Sequence, residues 1–133
     1  MMMKNPQETY LKQTILTASP MELIVMLYDA LRKNLLLAQR NIHKKAPAEA
    51  HLNLIKAQEI VTELMRSLDM SFEISANLMN LYEFMIEHLA EANMKKDADL
   101  VAEVADLVTE LRDAWKQVCE TQKTQLVYEG VIS

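Results

Sequence analysis

From Tyr10 to Leu37 the chain reads YLKQTILTASPMELIVMLYDALRKNLLL, and its apolar positions recur at steps of three and four. Ile24, Leu27, Leu31, Leu35, Ala38 and Ile42 form one stripe of an α-helix. Leu23, Met26, Ala30 and Leu37 fill a second row beside it, and Tyr28 and Leu36 add to the excess. A helix that is apolar around most of its circumference has to be covered on most of it. Either neighbouring helices of the same chain or a docked partner supplies that cover. The start of the helix is marked by Ser19-Pro20-Met21-Glu22. Serine is placed to cap an orphan N–H, proline at the first helical position has none to lose, and Glu22 can reach back.

Three more amphipathic stretches follow. Pro47 can open a second helix in which Leu54, Ala57, Val61, Leu64, Met65 and Leu68 share a face, with Lys56, Glu59, Glu63 and Arg66 turned away. Asp69 and Ser71 offer a break and a new cap, after which Ile74, Leu78, Leu81, Met85, Leu89 and Ala92 are expected inward. Glu83, Glu87 and Glu91 then line a solvated face. Asn93-Met94-Lys95-Lys96 is a tight connection, Asp97 a cap, and Leu100, Val104, Leu107, Val108, Leu111, Ala114, Trp115 and Val118 a fourth stripe that fades near Gln122. The spacing predicts an all-α, antiparallel up-down four-helix bundle with helices of roughly 30 to 37 Å. Before it, Tyr10 to Leu16 can form one or two amphipathic turns, too short to stand alone. This segment is expected to pack on the bundle as a detachable cover. One domain spans 1–133, with 1–8 and 123–133 expected to be flexible.

Composition narrows the function. One glycine and three prolines in 133 residues suit helices joined by short turns and leave no Gly-rich phosphate loop. The net charge of −5 shows no basic block, so nucleic acid is not expected as a partner. Lys4-Asn5-Pro6-Gln7-Glu8 stands where a secretory leader would have its apolar core, and no stretch is apolar enough for a membrane span. With the lone Cys119, these features point to the cytoplasm. No metal site is expected: Arg40, Ala48 and Met85 stand three residues before His43, His51 and His88, so the Glu-x-x-His pairs of a di-iron bundle are missing. The His-x-x-Lys-Gly pattern of a histidine phosphotransfer module is missing as well, which disfavours that reading. Cys119 adjoins Glu120, a neighbour that disfavours a thiolate. No catalytic residue and no cofactor are therefore expected. What remains is a surface for another chain, with methionines such as Met26 and Met79 able to repack against different shapes.

Tyr10, Gln13, Thr17-Ala18-Ser19-Pro20-Met21-Glu22-Leu23-Ile24 and Met26-Leu27-Tyr28-Asp29 together resemble the N-terminal signature of the flagellar export chaperone family FliS. The likeness continues through Asn77-Leu78, Leu81-Tyr82-Glu83-Phe84-Met85 and Leu89-Ala90-Glu91-Ala92-Asn93 to Leu111-Arg112-Asp113-Ala114-Trp115. Two departures stand out: Ala30 where the family commonly has glycine, and Met70-Ser71-Phe72-Glu73 where it often has a turn with lysine and glycine. The resemblance implies a cytosolic, non-enzymatic chaperone that binds the C-terminal segment of flagellin, blocks its early polymerisation and delivers it to the type III export apparatus. An export-gate component, an anti-sigma factor and a co-chaperone stay open as further partners, and a homodimer that buries the apolar surplus is the alternative. The partner-binding residues expected are Tyr10 and Ile15 as latch, Gln13 as its polar anchor, Leu23, Met26 and Leu27 as groove wall, and Tyr28 and Asp29 as elements fixing groove geometry or register.

Overall fold

In a computed structural model the described residues are 18–128, together with Pro6 and Thr9, with side chains described as far as Gln122. They form four helices: α1 (Pro20–His43), α2 (Pro47–Arg66), α3 (Glu73–Lys95) and α4 (Ala98–Tyr128). Helix α1 packs on α2 and α4, and α3 packs on the same two from the far side, so chain order is also the order around the bundle. Short connections make successive helices antiparallel, and the expected all-α four-helix bundle is the fold observed. The N-terminal cover segment and most of the termini expected to be flexible lie outside the described residues.

The helix starts follow from local chemistry. Ser19 Oγ accepts from the Glu22 N–H at 3.2 Å and donates to the Glu22 carboxylate, and Pro20 opens α1. Pro47 opens α2 without a side-chain cap. Asp97 Oδ1 accepts from the N–H groups of Asp99 and Leu100, so the expected cap of α4 is present. The cap foreseen for α3 is displaced. Phe72 occupies that position without a side-chain bond, while Asp69 Oδ1 takes the N–H and hydroxyl of Ser71 in an Asx turn.

The core runs through Leu31, Leu35 and Ala38 of α1, Leu54, Ala57, Val61 and Leu64 of α2, Leu78, Met85, Leu89 and Ala92 of α3, and Val101, Val104 and Val108 of α4. Ile24, Leu27 and Ile42 of the expected α1 stripe are only half-buried, whereas Tyr28 is fully enclosed. On α3 Leu78, Met85, Leu89 and Ala92 of the expected face are buried, and the face is rotated at two positions. Ser75 and Tyr82 are buried, Leu81 is half-buried and Ile74 is 60% exposed. Polar side chains can occupy those inward positions because their hydroxyls are satisfied: Ser75 donates to the Asp69 carbonyl and Tyr82 meets Tyr28. On α4 a similar rotation buries Ala105 and Cys119 and leaves Ala114 and Val118 exposed. That helix also continues to Tyr128, past the expected end near Gln122, giving 31 residues and about 46 Å. No glycine or proline interrupts it before Gly130.

Both turns at the far end of the bundle close on left-handed lysines, Lys45 with φ 58° and Lys96 with φ 50°. Ala46 N donates to Asn41 O and Lys45 N to Ile42 O, the bond pair of a Schellman motif, and Asp97 N repeats the longer bond to Ala92 O. A side chain with a Cβ costs about 1 kcal/mol in this conformation, although glycine returns part of the gain as unfolded-chain entropy. Lys45→Gly is therefore expected to raise stability by about 0.5 kcal/mol in urea unfolding. Lys96→Gly should gain less, because the Lys96 ammonium donates to the Asn93 carbonyl and side-chain oxygen, bonds that glycine cannot replace.

Candidate functional site

At the opposite end, where α1 begins and α2 gives way to α3, the described residues leave two hollows. A cleft of about 520 Å³ lies between the first turns of α1 and the last turn of α2, lined by Pro20, Leu23, Leu27, Glu63 and Arg66 among others. A second hollow of about 320 Å³ opens beside it between α1, the α2–α3 turn and α4. Its wall is mainly apolar, with Leu68, Phe72, Ile74, Leu78 and Trp115, and it shares Met21, Ile24 and Ser67 with the cleft. The two hollows therefore flank the first turn of α1 as one depression.

The expected partner-binding residues divide into three groups. Leu23 and Leu27 wall the cleft, and Leu23, Met26 and Leu27 are each half-buried, so the second apolar row of α1 is not closed over within the described chain. Tyr28 and Asp29 face elsewhere. Asp29 is exposed and accepts from Arg112 Nε of α4 at 2.6 Å, next to a bond from Arg32 Nε to the Thr109 hydroxyl. These contacts fix α1 against α4, although a pair this open to solvent contributes at most about 1 kcal/mol. Tyr10, Gln13 and Ile15 lie outside the described residues. Among the described residues the chain reaches the cleft at Pro20, directly after Ala18 and Ser19.

Tyr28 occupies the interior beneath the depression. Its hydroxyl and that of Tyr82 lie 2.5 Å apart across the bundle, both rings being enclosed. Burial pushes both hydroxyls above the ordinary tyrosine range near 10, and their shared bond raises Tyr28 further while it restrains Tyr82. The nearby Trp115 indole pulls Tyr28 back a little. Both phenols are thus neutral at physiological pH. Tyr82 and Trp115 line the hollow directly, as do Phe72 and Ile74. Of these four, only Phe72 was expected from the sequence, as an extra exposed apolar contact near a helix start, and it is indeed exposed. The lone tryptophan near the end of an apolar stripe was the available signal for one of them. The position of Ile74 could not be read, because it depends on where the α2–α3 turn leaves the core.

No cluster of three or more metal-ligating side chains is present among the described residues. His51 bonds to Asn93, and His88 lies 2.7 Å from Glu103. Among the described residues no helix is long and apolar enough to cross a membrane.

The described residues thus form an all-α bundle with partly exposed apolar side chains around two hollows at one end. The profile described as "Flagellar protein FliS" matches residues 3–122. The chain is 38% identical to the flagellar secretion chaperone FliS of Bacillus subtilis, over 92% of both chains. It is 36% identical to the Salmonella typhimurium chaperone of the same name, over 80% of this chain and 82% of that one. The Pseudomonas aeruginosa flagellar secretion chaperone FliSB is 31% identical over 85% of this chain and 91% of its own. The chain belongs to the FliS family, whose members are named as chaperones, a non-enzymatic role.

The tyrosine pair yields a double test. Tyr28→Phe strands the buried Tyr82 hydroxyl and should cost about 1–3 kcal/mol in chemical unfolding, whereas Tyr28→Phe with Tyr82→Phe should recover most of that loss. Raised folded-state values mean that the stabilising contribution is intact below about pH 10 and declines as pH rises beyond it, when the unfolded chain sheds its phenolic protons first. Thermal melts across pH 8 to about 11.5 should show this alkaline decline in the parent chain and a shallower one in the double variant.

Proposed function

We propose that this chain is a cytoplasmic export chaperone that holds the C-terminal segment of flagellin, keeps it from polymerising early and aids its delivery to the flagellar type III export apparatus. The observation that carries this reading is the depression around the first turn of α1, with Leu23 and Leu27 in its wall, in a chain of the FliS family. The client segment, disordered when free, becomes helical as it lays an apolar face along Leu23, Met26 and Leu27. Tyr10 and Ile15, with Gln13 as polar anchor, cover that surface when it is idle. Tyr28 and Asp29 act indirectly, the first by supporting the floor of the depression and the second by holding α1 against α4.

Titration with a peptide of the flagellin C-terminal segment should show saturable binding at micromolar concentration or tighter, a gain of helicity and a negative heat-capacity change. No saturable calorimetric signal in that range removes the flagellin assignment. Leu23→Ser should weaken binding about tenfold or more, because it places a hydroxyl where an apolar contact is needed. A tight dimer by light scattering that ignores the peptide would transfer the same apolar rows to the homodimer reading.

A further inference from the structure

Phe72 and Ile74 are 64% and 60% exposed although both border the 320 Å³ hollow. Large apolar side chains at the lip of an apolar cavity leave a surface whose wetting is unfavourable on two sides, and filling the hollow relieves both. The lip is local to the turn at residues 67–72: Asp69 and Ser71 close it, Ser75 ties it back to the Asp69 carbonyl, and Phe72 and Ile74 follow at once. The floor is formed by Leu78, Tyr82 and Trp115 from two other helices. Trp115 is only half-buried, the aromatic ring on this floor that still has surface to give.

Charge around the depression indicates what fills it. Glu63 and Asp69 line it, and Glu22 and Glu73 stand in the first turns of α1 and α3 beside it. Hydrogen bonds from Ser71 hold the Asp69 carboxyl below its usual range, so it stays ionised. Among the described residues, Arg66, which pairs with Glu63, and Lys116, one residue past Trp115, stand against these four acids. Resting on the flagellin reading above, we propose that the hollow is an anchor pocket for one bulky apolar side chain of the bound client helix, that Phe72 and Ile74 are its specificity-determining lip, and that the anchor is flanked in the client by lysine or arginine. The cavity is large enough for a leucine- or phenylalanine-sized group, and the acidic rim favours cationic neighbours over anionic ones.

The probe is a tryptophan-free peptide of the flagellin C-terminal segment, added to the full chain. Trp115, the one tryptophan, then reports on the pocket. Binding should shift its emission to the blue. Phe72→Ser and Ile74→Ser, both at exposed positions, should each weaken the peptide about tenfold with unchanged far-ultraviolet circular dichroism. Leu52→Ser, at an exposed apolar site on the outer face of α2, is the control and should leave affinity within about twofold. Replacing the peptide's basic residues by glutamine, or raising salt to about 0.5 M, should weaken binding several-fold. If the parent chain binds no peptide, both the flagellin reading and the pocket fall. If it binds but Trp115 emission stays put, or the lip variants match the Leu52 control, the pocket is overturned and the flagellin reading survives. Binding indifferent to salt and to the glutamine peptide overturns the charged flanks alone.

Discussion

The hydroxyls of Tyr28 and Tyr82 meet inside the bundle, and the arrangement of the end with the two hollows depends on that meeting. Helices α1 and α3 sit diagonally and share few other contacts, so their relative height is set chiefly through α2 and α4. A buried phenol that loses its partner bears the full desolvation of its hydroxyl. Slipping α1 against α3 by one turn would separate the two oxygens, which makes the pair a register mark as well as a contact. With the register fixed, Trp115 comes to rest beside Tyr28, Arg112 reaches Asp29, and the first turn of α1 borders the two hollows.

Tyr28 and Asp29 both serve that arrangement from within the chain. Tyr28 is enclosed, so its contribution to a binding surface has to pass through what it supports. Asp29 is exposed, yet its visible work is the link to α4. The apolar row of Leu23, Met26 and Leu27 is different. It is half-buried beside a cleft, and it has side-chain surface left to offer. Scaffold and surface therefore alternate along a single helix, within a few residues of each other.

Much of the fold was legible because helix signals here are local. Ser19-Pro20, Pro47 and Asp97 each announce a helix start, and the 3.6 period gave four apolar faces. The errors arose where a long-range partner decides the outcome. Tyr82 and Ser75 look like outward residues until Tyr28 and the Asp69 carbonyl are placed, and Ile74 looks inward until the core is seen to stop short of it. The end of α4 was misjudged for a different reason: an apolar stripe can fade while nothing in the sequence stops the helix. Of the residues around the hollows, Leu23 and Leu27 were readable as apolar surplus on α1. Phe72 was readable as an exposed apolar residue at a helix start, but Trp115 and Ile74 were not readable as its neighbours, since a pocket assembled from three helices and a turn has no signature in any one of them.

The two ends of the molecule are unlike. At one, the lysine turns at Lys45 and Lys96 knot the helices tightly with carbonyl-capping bonds. At the other, packing is thin around two adjoining voids. Breathing motions in a folded chain concentrate where contacts are sparse. The end with the voids is therefore the one where sparse contacts leave most room for local motion, and the two lysine turns are where the helices are held in register.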